Sequence, residues 1–433
     1  MNKAFTYVLI FFILSNSITA QVQIDDLQFL WKIAIRNNPN QKVYALKREQ
    51  LGYDYKTAEG VYYPQAAASF NGQDNLIQSV TPVPGIIFNK PGTVYLQFGK
   101  HYTYNAGLTV TKNLFDWQAI LQSKVAKENI QLNDVQQEAY IQTLKTQIGQ
   151  YYYTALIAKS SSTIAEKDLA LADSIYEVIK DKFNQGLTDA SAVNQAQINR
   201  NSISQNSLQS EQLYNQAIAN IKILSGIPVT STLILKKPVF DRKPIAESLG
   251  NDKTLAPYSI NIAIADLQRK AQKAALLPKL TATGYFGFQQ FQNELEMSFA
   301  RNAWSDYQYI GLGLNWPLFT GFANTNKLKS ITTQKKIAEQ NYQSAKEQSD
   351  INDSLLFSNY NSYSNMTATA ESSFNLYGKN LELSLQKFRE GLISIDAHLK
   401  TFQDYLAAEN VYLNNLSNLL TTKAAIEARA PNP

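Results

Sequence analysis

The stretch Lys182-Phe183-Asn184-Gln185-Gly186-Leu187-Thr188 returns later in the chain as Lys387-Phe388-Arg389-Glu390-Gly391-Leu392-Ile393-Ser394. Before each copy runs an apolar seam. The first is Ala165, Leu169, Ala172, Tyr176, Ile179 and Phe183; the second is Ala370, Phe374, Tyr377, Leu381, Ser384 and Phe388. Steps of four and three are coiled-coil spacing. Glycine tolerates backbone angles that other residues avoid, so Gly186 and Gly391 are expected to reverse the chain. On the second returning helix the seam continues through Leu399, Phe402, Leu406, Leu413, Leu416 and Leu420. Each half therefore ends in a long helical hairpin. Trp117 to Gln185 contains no proline, and only Gly149 is expected to interrupt it. At 1.5 Å per residue that stretch reaches ~100 Å.

Upstream of each hairpin the pattern changes. Asp25 or Asp26 can cap a first helix reaching about Gly60, interrupted at Asn37-Asn38-Pro39. Pro64 ends it and a strand follows from Gln65. The second half repeats this with a helix from Tyr258 to Leu277, then Pro278, then a strand from Lys279. Tyr104, Ala106, Leu108 and Val110 alternate with Asn105, Gly107, Thr109 and Thr111, and Ile310, Leu312, Leu314 and Trp316 alternate with Tyr309, Gly311, Gly313 and Asn315. A bulky apolar face opposite a small polar one suits a wall between lipid and water. A half-buried soluble sheet shows the same alternation. Aromatic residues gather around these strands, among them Tyr95, Phe98, Tyr102, Phe291, Trp304 and Phe319. The segment with Pro82, Pro84 and Pro91 reads as an irregular loop. Asn113-Leu114-Phe115-Asp116 and Pro317-Leu318-Phe319-Thr320-Gly321 read as matching turns.

Composition narrows the function classes. Among 433 residues there is no cysteine and there are two histidines, His101 and His398, far apart. Disulfides and zinc–thiolate sites are excluded, and no metal or cofactor site is expected. There is no phosphate loop and no nucleophile elbow, so an enzyme is not expected. A net charge of +5 without a dense basic patch argues against nucleic acid. Charged residues are 17% of the chain, below the usual ~25%; Asn, Gln, Ser and Thr replace them. Lys3, the apolar run Val8 to Leu14 and Ile18-Thr19-Ala20 read as a secretory signal. The expected organisation is a signal peptide (1–20), a first repeat (21–228), an irregular linker (229–256) and a second repeat (257–430). No later stretch approaches the ~20 apolar residues of a spanning helix. Four strands cannot close a membrane barrel, and an open edge in lipid leaves backbone groups unpaired. If these strands face lipid, copies must combine; two chains or three both satisfy that rule.

With these residues laid out, the chain resembles the TolC family of outer-membrane efflux and secretion channels. The likeness rests on Asn38-Pro39, the Pro64 and Pro278 junctions, the Leu114-Phe115 and Leu318-Phe319 pairs, and the two Phe-x-x-Gly-Leu tips. It covers nearly the whole mature chain. It implies a mainly α fold with a small β part and two internal repeats. The assembly would be a homotrimer whose twelve-stranded transmembrane β-barrel, four strands per chain, continues into a long α-helical coiled-coil periplasmic tunnel. It implies an exit duct in outer-membrane lipid, partnered by a periplasmic adaptor and an inner-membrane pump. The adaptor would meet Gly186, Leu187, Thr188, Gly391, Leu392 and Ser394. Asp189 and Asp396 would lie near the mouth, as rings of charge or as helix caps. Family members with acidic rings carry acids where this chain has Ala397 and Lys400, so weaker cation preference is expected. Lys400 stands one turn from Asp396, placed to pair with it. The rival reading is a secreted or periplasmic coiled-coil structural or adaptor protein, which would not need amphipathic strands.

Overall fold

The computed structural model describes residues 21–97, 99–236 and 249–429. The expected signal peptide, Phe98 and residues 237–248 of the linker lie outside them. In chain order come β1 (Gln21–Ile24), α1 (Leu27–Asn37), α2 (Pro39–Glu59), β2 (Gln65–Asp74), β3 (Val80–Pro84), β4 (Thr93–Gln97) and β5 (Tyr102–Phe115). The first hairpin is α3 (Trp117–Asn184) with α4 (Ala190–Ser225). After β6 (Thr232–Leu235) come α5 (Ala256–Ala274), β7 (Lys279–Gln292), β8 (Ser305–Asn315) and the second hairpin, α6 (Ala323–Arg389) with α7 (Ile395–Arg429). Contacts divide the chain into two units. One gathers Leu46–Asp134 and Pro257–Gln343; the remaining residues form the other. Both repeats contribute to each unit.

The first unit holds a four-stranded sheet of order β2-β5-β7-β8, antiparallel throughout. The β5–β7 pair joins the two repeats. Register aligns Ala68, Leu108 and Phe286 across one face. Ile310, Leu312 and Leu314 of β8 share that face and are largely exposed. Among the described residues β2 and β8 each have a partner on one side only, so both edges of the sheet are open. Two expectations change here. The proline-rich segment is not wholly irregular, because β3 and β4 form a hairpin with Pro82 opposite Tyr95. β3 pairs on one side only, and an edge position tolerates a residue without an N–H donor. The expected turn at Asn113-Leu114-Phe115 is instead the end of β5, where the register shifts between Asn113 and Phe115.

The helical unit is set by caps and close approaches. Asp26 accepts a hydrogen bond from the Phe29 amide at 2.7 Å and starts α1. Asn38-Pro39 then makes a joint. Proline suits the first position of α2, whose N–H would have no helical partner. Asn38 Oδ1 accepts from the Asn40 amide at 2.8 Å, and its Nδ2 donates to the Leu224 carbonyl at 2.7 Å. That carbonyl belongs to the last turn of α4, where helix carbonyls lack intrahelical donors. Leu30, Trp31 and Ala34 of α1 pack with Leu144, Ile148 and Tyr152 of α3, Ile221 of α4, and Leu416 and Ala424 of α7. Gly149 does not interrupt α3. A Cβ there would lie 2.5 Å from Ala424 Cβ, so glycine permits the close packing of α3 on α7. The segment expected to be an irregular linker contributes β6, which pairs in parallel with β1. Among the described residues no helix is long and apolar enough to cross a membrane.

Candidate functional site

Both Phe-x-x-Gly-Leu tips fold by one hydrogen-bond rule. Gly186 (φ 72) donates to the Phe183 carbonyl at 2.9 Å, and Leu187 to the Lys182 carbonyl at 2.8 Å. Gly391 (φ 75) donates to Phe388 at 3.2 Å, and Leu392 to Lys387 at 2.8 Å. These paired bonds close a helix C-terminus, with glycine taking the left-handed position. The leucines follow in a position that often packs back on the helix. Here they do not: Leu187 is 69% exposed and Leu392 68%. Closing the turn therefore accounts for the glycines and leaves the leucines without a packing role in the single chain.

The residues after each turn start the returning helices. Asp189 accepts from the Ala192 amide at 3.0 Å and caps α4. In the second copy Ser394 takes that role, accepting from the Ala397 amide at 3.2 Å. Asp396 stands in the first turn of α7, where exposed amides favour a negative charge. The expected pairing of Lys400 with Asp396 is corrected: Lys400 bonds Asp404 at 2.7 Å. Gly186, Leu187, Gly391, Leu392, Ser394, Asp189, Asp396 and Lys400 are exposed, and Thr188 is half-buried.

Behind the tips the two copies differ. Phe183 is 43% exposed while Phe388 is 3% exposed. His398 stacks on Phe388 with ring centroids 5.3 Å apart, and Lys182 of the first hairpin lies 4.2 Å from the same ring. His398 is held by Ser384 at 2.9 Å, and burial lowers its pKa. The histidine is thus a packing residue at the base of the second tip.

Further along the hairpins lies a group that composition and motif reading passed over. Asp168 of α3 and Glu409 of α7 are both buried, and Tyr405 stands 3.4 Å from Asp168. Burial pushes the Glu409 carboxyl up to about 8, and its hydrogen bond and charge interaction with Asp168 add to the rise. Burial raises the Asp168 carboxyl as well, against the opposing hydrogen bonds from Glu409 and Tyr405. Two carboxyls in such a place are most stable sharing a proton. A signal was available: Glu409 fills the missing step between Leu406 and Leu413 on the α7 seam.

The profile of the family described as "Outer membrane efflux protein" matches residues 30–226 and 245–429. The chain belongs to that family. Solved channels share its fold. The Campylobacter jejuni CmeC outer membrane channel superposes with a TM-score of 0.73 at 17% identity, covering 93% of this chain and 85% of that one. VceC of Vibrio cholerae gives 0.70 at 16% identity, with 93% of each chain covered. The open-state Neisseria gonorrhoeae MtrE outer membrane channel gives 0.72 at 15% identity, covering 93% and 88%. No curated protein sequence matches the chain. As a member of the outer membrane efflux protein family the protein resides in the bacterial outer membrane, with its helical hairpins on the periplasmic side. It shares the mainly helical, two-repeat fold of these channels.

Proposed function

We propose that the protein is the passive outer-membrane exit duct of a tripartite efflux or type I secretion system. Three copies complete it. The carrying observation is the sheet with two open edges and one exposed apolar face. Unpaired backbone groups are not tolerated in lipid. Joining β8 of one copy to β2 of the next pairs every strand, and three copies give twelve strands around one lumen. Family membership supports this closure over a dimer. A coiled-coil protein without a pore would leave the apolar face of β8 unexplained.

The tips supply the second half of the reading. Leu187 and Leu392 stand out from turns that need only the glycine, and similar apolar knobs suit docking into the hairpin of a periplasmic adaptor fed by an inner-membrane pump. Ions and solutes then pass without chemistry by the duct itself. Lys400 is bound to Asp404, so the exposed acids of the mouth are Asp189 and Asp396, and Ala397 and Lys400 stand where family members with acidic rings carry acids.

Replacing both Leu187 and Leu392 with Asp in the native host tests this. Burying two charged groups where two leucines docked should weaken adaptor engagement by about tenfold or more. Minimal inhibitory concentrations across a panel of exported toxic compounds should fall, while the amount of assembled protein in the outer membrane stays the same. Unchanged resistance together with unchanged adaptor crosslinking would remove the tips from the docking role.

A further inference from the structure

The polar face of the sheet carries one cluster that closing a barrel does not require. Alternation places Tyr285 of β7 and Tyr307 and Tyr309 of β8 opposite the apolar face of Phe286, Ile310 and Leu312. Tyr285 is in register with Tyr309, and Gly287 with Tyr307. The rings touch in all three pairs: Tyr285 and Tyr309 are 5.7 Å apart at 17°, Tyr285 and Tyr307 5.6 Å, and Tyr307 and Tyr309 5.8 Å.

Two glycines make this arrangement possible. Gly107 and Gly287 face each other across β5 and β7. A Cβ on Gly107 would lie 2.6 Å from the Tyr285 ring, and one on Gly287 would lie 2.7 Å from its hydroxyl. The Tyr285 ring therefore lies down across both strands, and any side chain at either glycine would lift it. Tyr307 and Tyr309 remain exposed beside it. The result is a low aromatic floor rather than a set of rings projecting into the lumen.

The charge around the floor is as informative as the rings. Among the side chains of the four strands that share this face, Lys279 is the one charged group. Asp116 holds it at 3.1 Å at the end of the sheet. The rest are Thr, Ser, Asn, Gln, Gly, Ala and aromatic residues. A neutral wall neither repels nor attracts an ion by net charge, so the ring faces act on a passing cation without competition from an unpaired charged side chain. Those faces carry negative quadrupole potential and attract cations, and flat rings stack on them.

We propose that Tyr285, Tyr307 and Tyr309 form a docking floor inside the duct for flat aromatic cations in transit. The proposal rests on the trimeric duct and adds a substrate class to it. Threefold assembly sets three such floors at one height in the lumen. Passing solutes pause there, held by ring stacking and cation–π attraction, and leave again because no charged partner holds them.

The test uses the full-length protein in planar lipid bilayers with ethidium as the probe. The wild type should show brief blockades of the open-channel current. In the double variant Tyr307→Ala/Tyr309→Ala the blockade dwell time, measured against that variant's own open current, should shorten by about tenfold. Tyr307→Phe/Tyr309→Phe keeps the ring faces and should keep the dwell time. Equal dwell times in the wild type and the alanine variant would overturn the proposal, as would equal blockade by a neutral oligosaccharide such as maltohexaose. A wild type that conducts no current would overturn the duct reading and the floor with it. A conducting wild type without ethidium blockade would overturn the floor alone.

Discussion

Gly226→Ala is expected to leave little assembled protein in the outer membrane, whereas the same change at Gly186 or Gly391 is expected to be tolerated. All three glycines end a helix with positive φ: 66 at Gly226, 72 at Gly186 and 75 at Gly391. The backbone cost is therefore shared, roughly 1–2 kcal/mol for a residue with a Cβ in that region. The surroundings differ. At Gly186 and Gly391 a Cβ meets nothing within 4 Å. At Gly226 it would lie 2.3 Å from the Asn37 carbonyl oxygen. Relief requires moving the joint between α1 and α2, and Asn38 in that joint is buried and bonded to the Leu224 carbonyl at 2.7 Å. Breaking a buried hydrogen bond adds about 1–3 kcal/mol. The sum approaches a large part of a typical folding free energy. Apparent melting temperature and the quantity of oligomer recovered from outer membranes read this out. Equal losses at the three positions would show that φ alone governs and that the α1–α4 contact is loose.

The second large effect is a loss of stability as the pH rises. In the unfolded chain Glu409 titrates near its ordinary value of 4.5, and in the folded protein burial lifts it to about 8. Between those values the folded state holds a proton that the unfolded state has released. Stability therefore falls as the pH climbs through that window, and it is fully retained below it. The Asp168 carboxyl is raised too, so its contribution has the same sign. Every tenfold difference in proton affinity between the two states corresponds to about 1.4 kcal/mol, and water reaching the pair lowers the total below that ceiling. Glu409→Gln keeps a neutral, hydrogen-bonding side chain at the seam and should flatten the dependence. Melting temperatures of the wild type should drop by several degrees from mildly acidic to mildly alkaline buffer, and those of the variant should hold steady. A wild type with no fall across that range would mean that the two carboxyls are hydrated and ionised in the folded protein.

How far the sequence could be read depended on the range over which each signal acts. The seams were legible because a helix repeats its contact every turn: Ala172, Ile179, Leu381, Leu399 and Phe402 are all buried as the spacing requires. The proline junctions were legible because a missing donor is a local fact. So was the Asn38-Pro39 joint, although its partner in α4 was not. The β3–β4 hairpin was hidden because Pro82 and Pro84 look like breakers until it is known that β3 is an edge. β1 and β6 are four residues each, one opening the first repeat and the other in the segment that follows it, so neither shows a pattern by itself. Lys400 has an acid one turn away on either side, and spacing alone favours Asp396. The first turn of α7 offers Asp396 free amides, and the lysine bonds Asp404 instead. The tip residues were placed correctly as turns, but the exposure of their leucines depends on where the neighbouring helices run.

The aromatic floor and the carboxyl pair share a feature. Each is built from residues that individually look ordinary, and each becomes chemical only when two strands or two helices bring its members together. The floor needs glycines on β5 and β7; the pair needs α3 and α7. One acts on what passes through the lumen and the other on the conditions under which the hairpins stay packed.

The most direct test is the current carried by purified protein of known mass. Light scattering in detergent should give three copies per particle, and the same material in a planar bilayer should produce discrete, uniform steps of ion current. A particle of one chain that leaves the bilayer silent would contradict the account at its base, since four strands with open edges would then have found some other way to be satisfied.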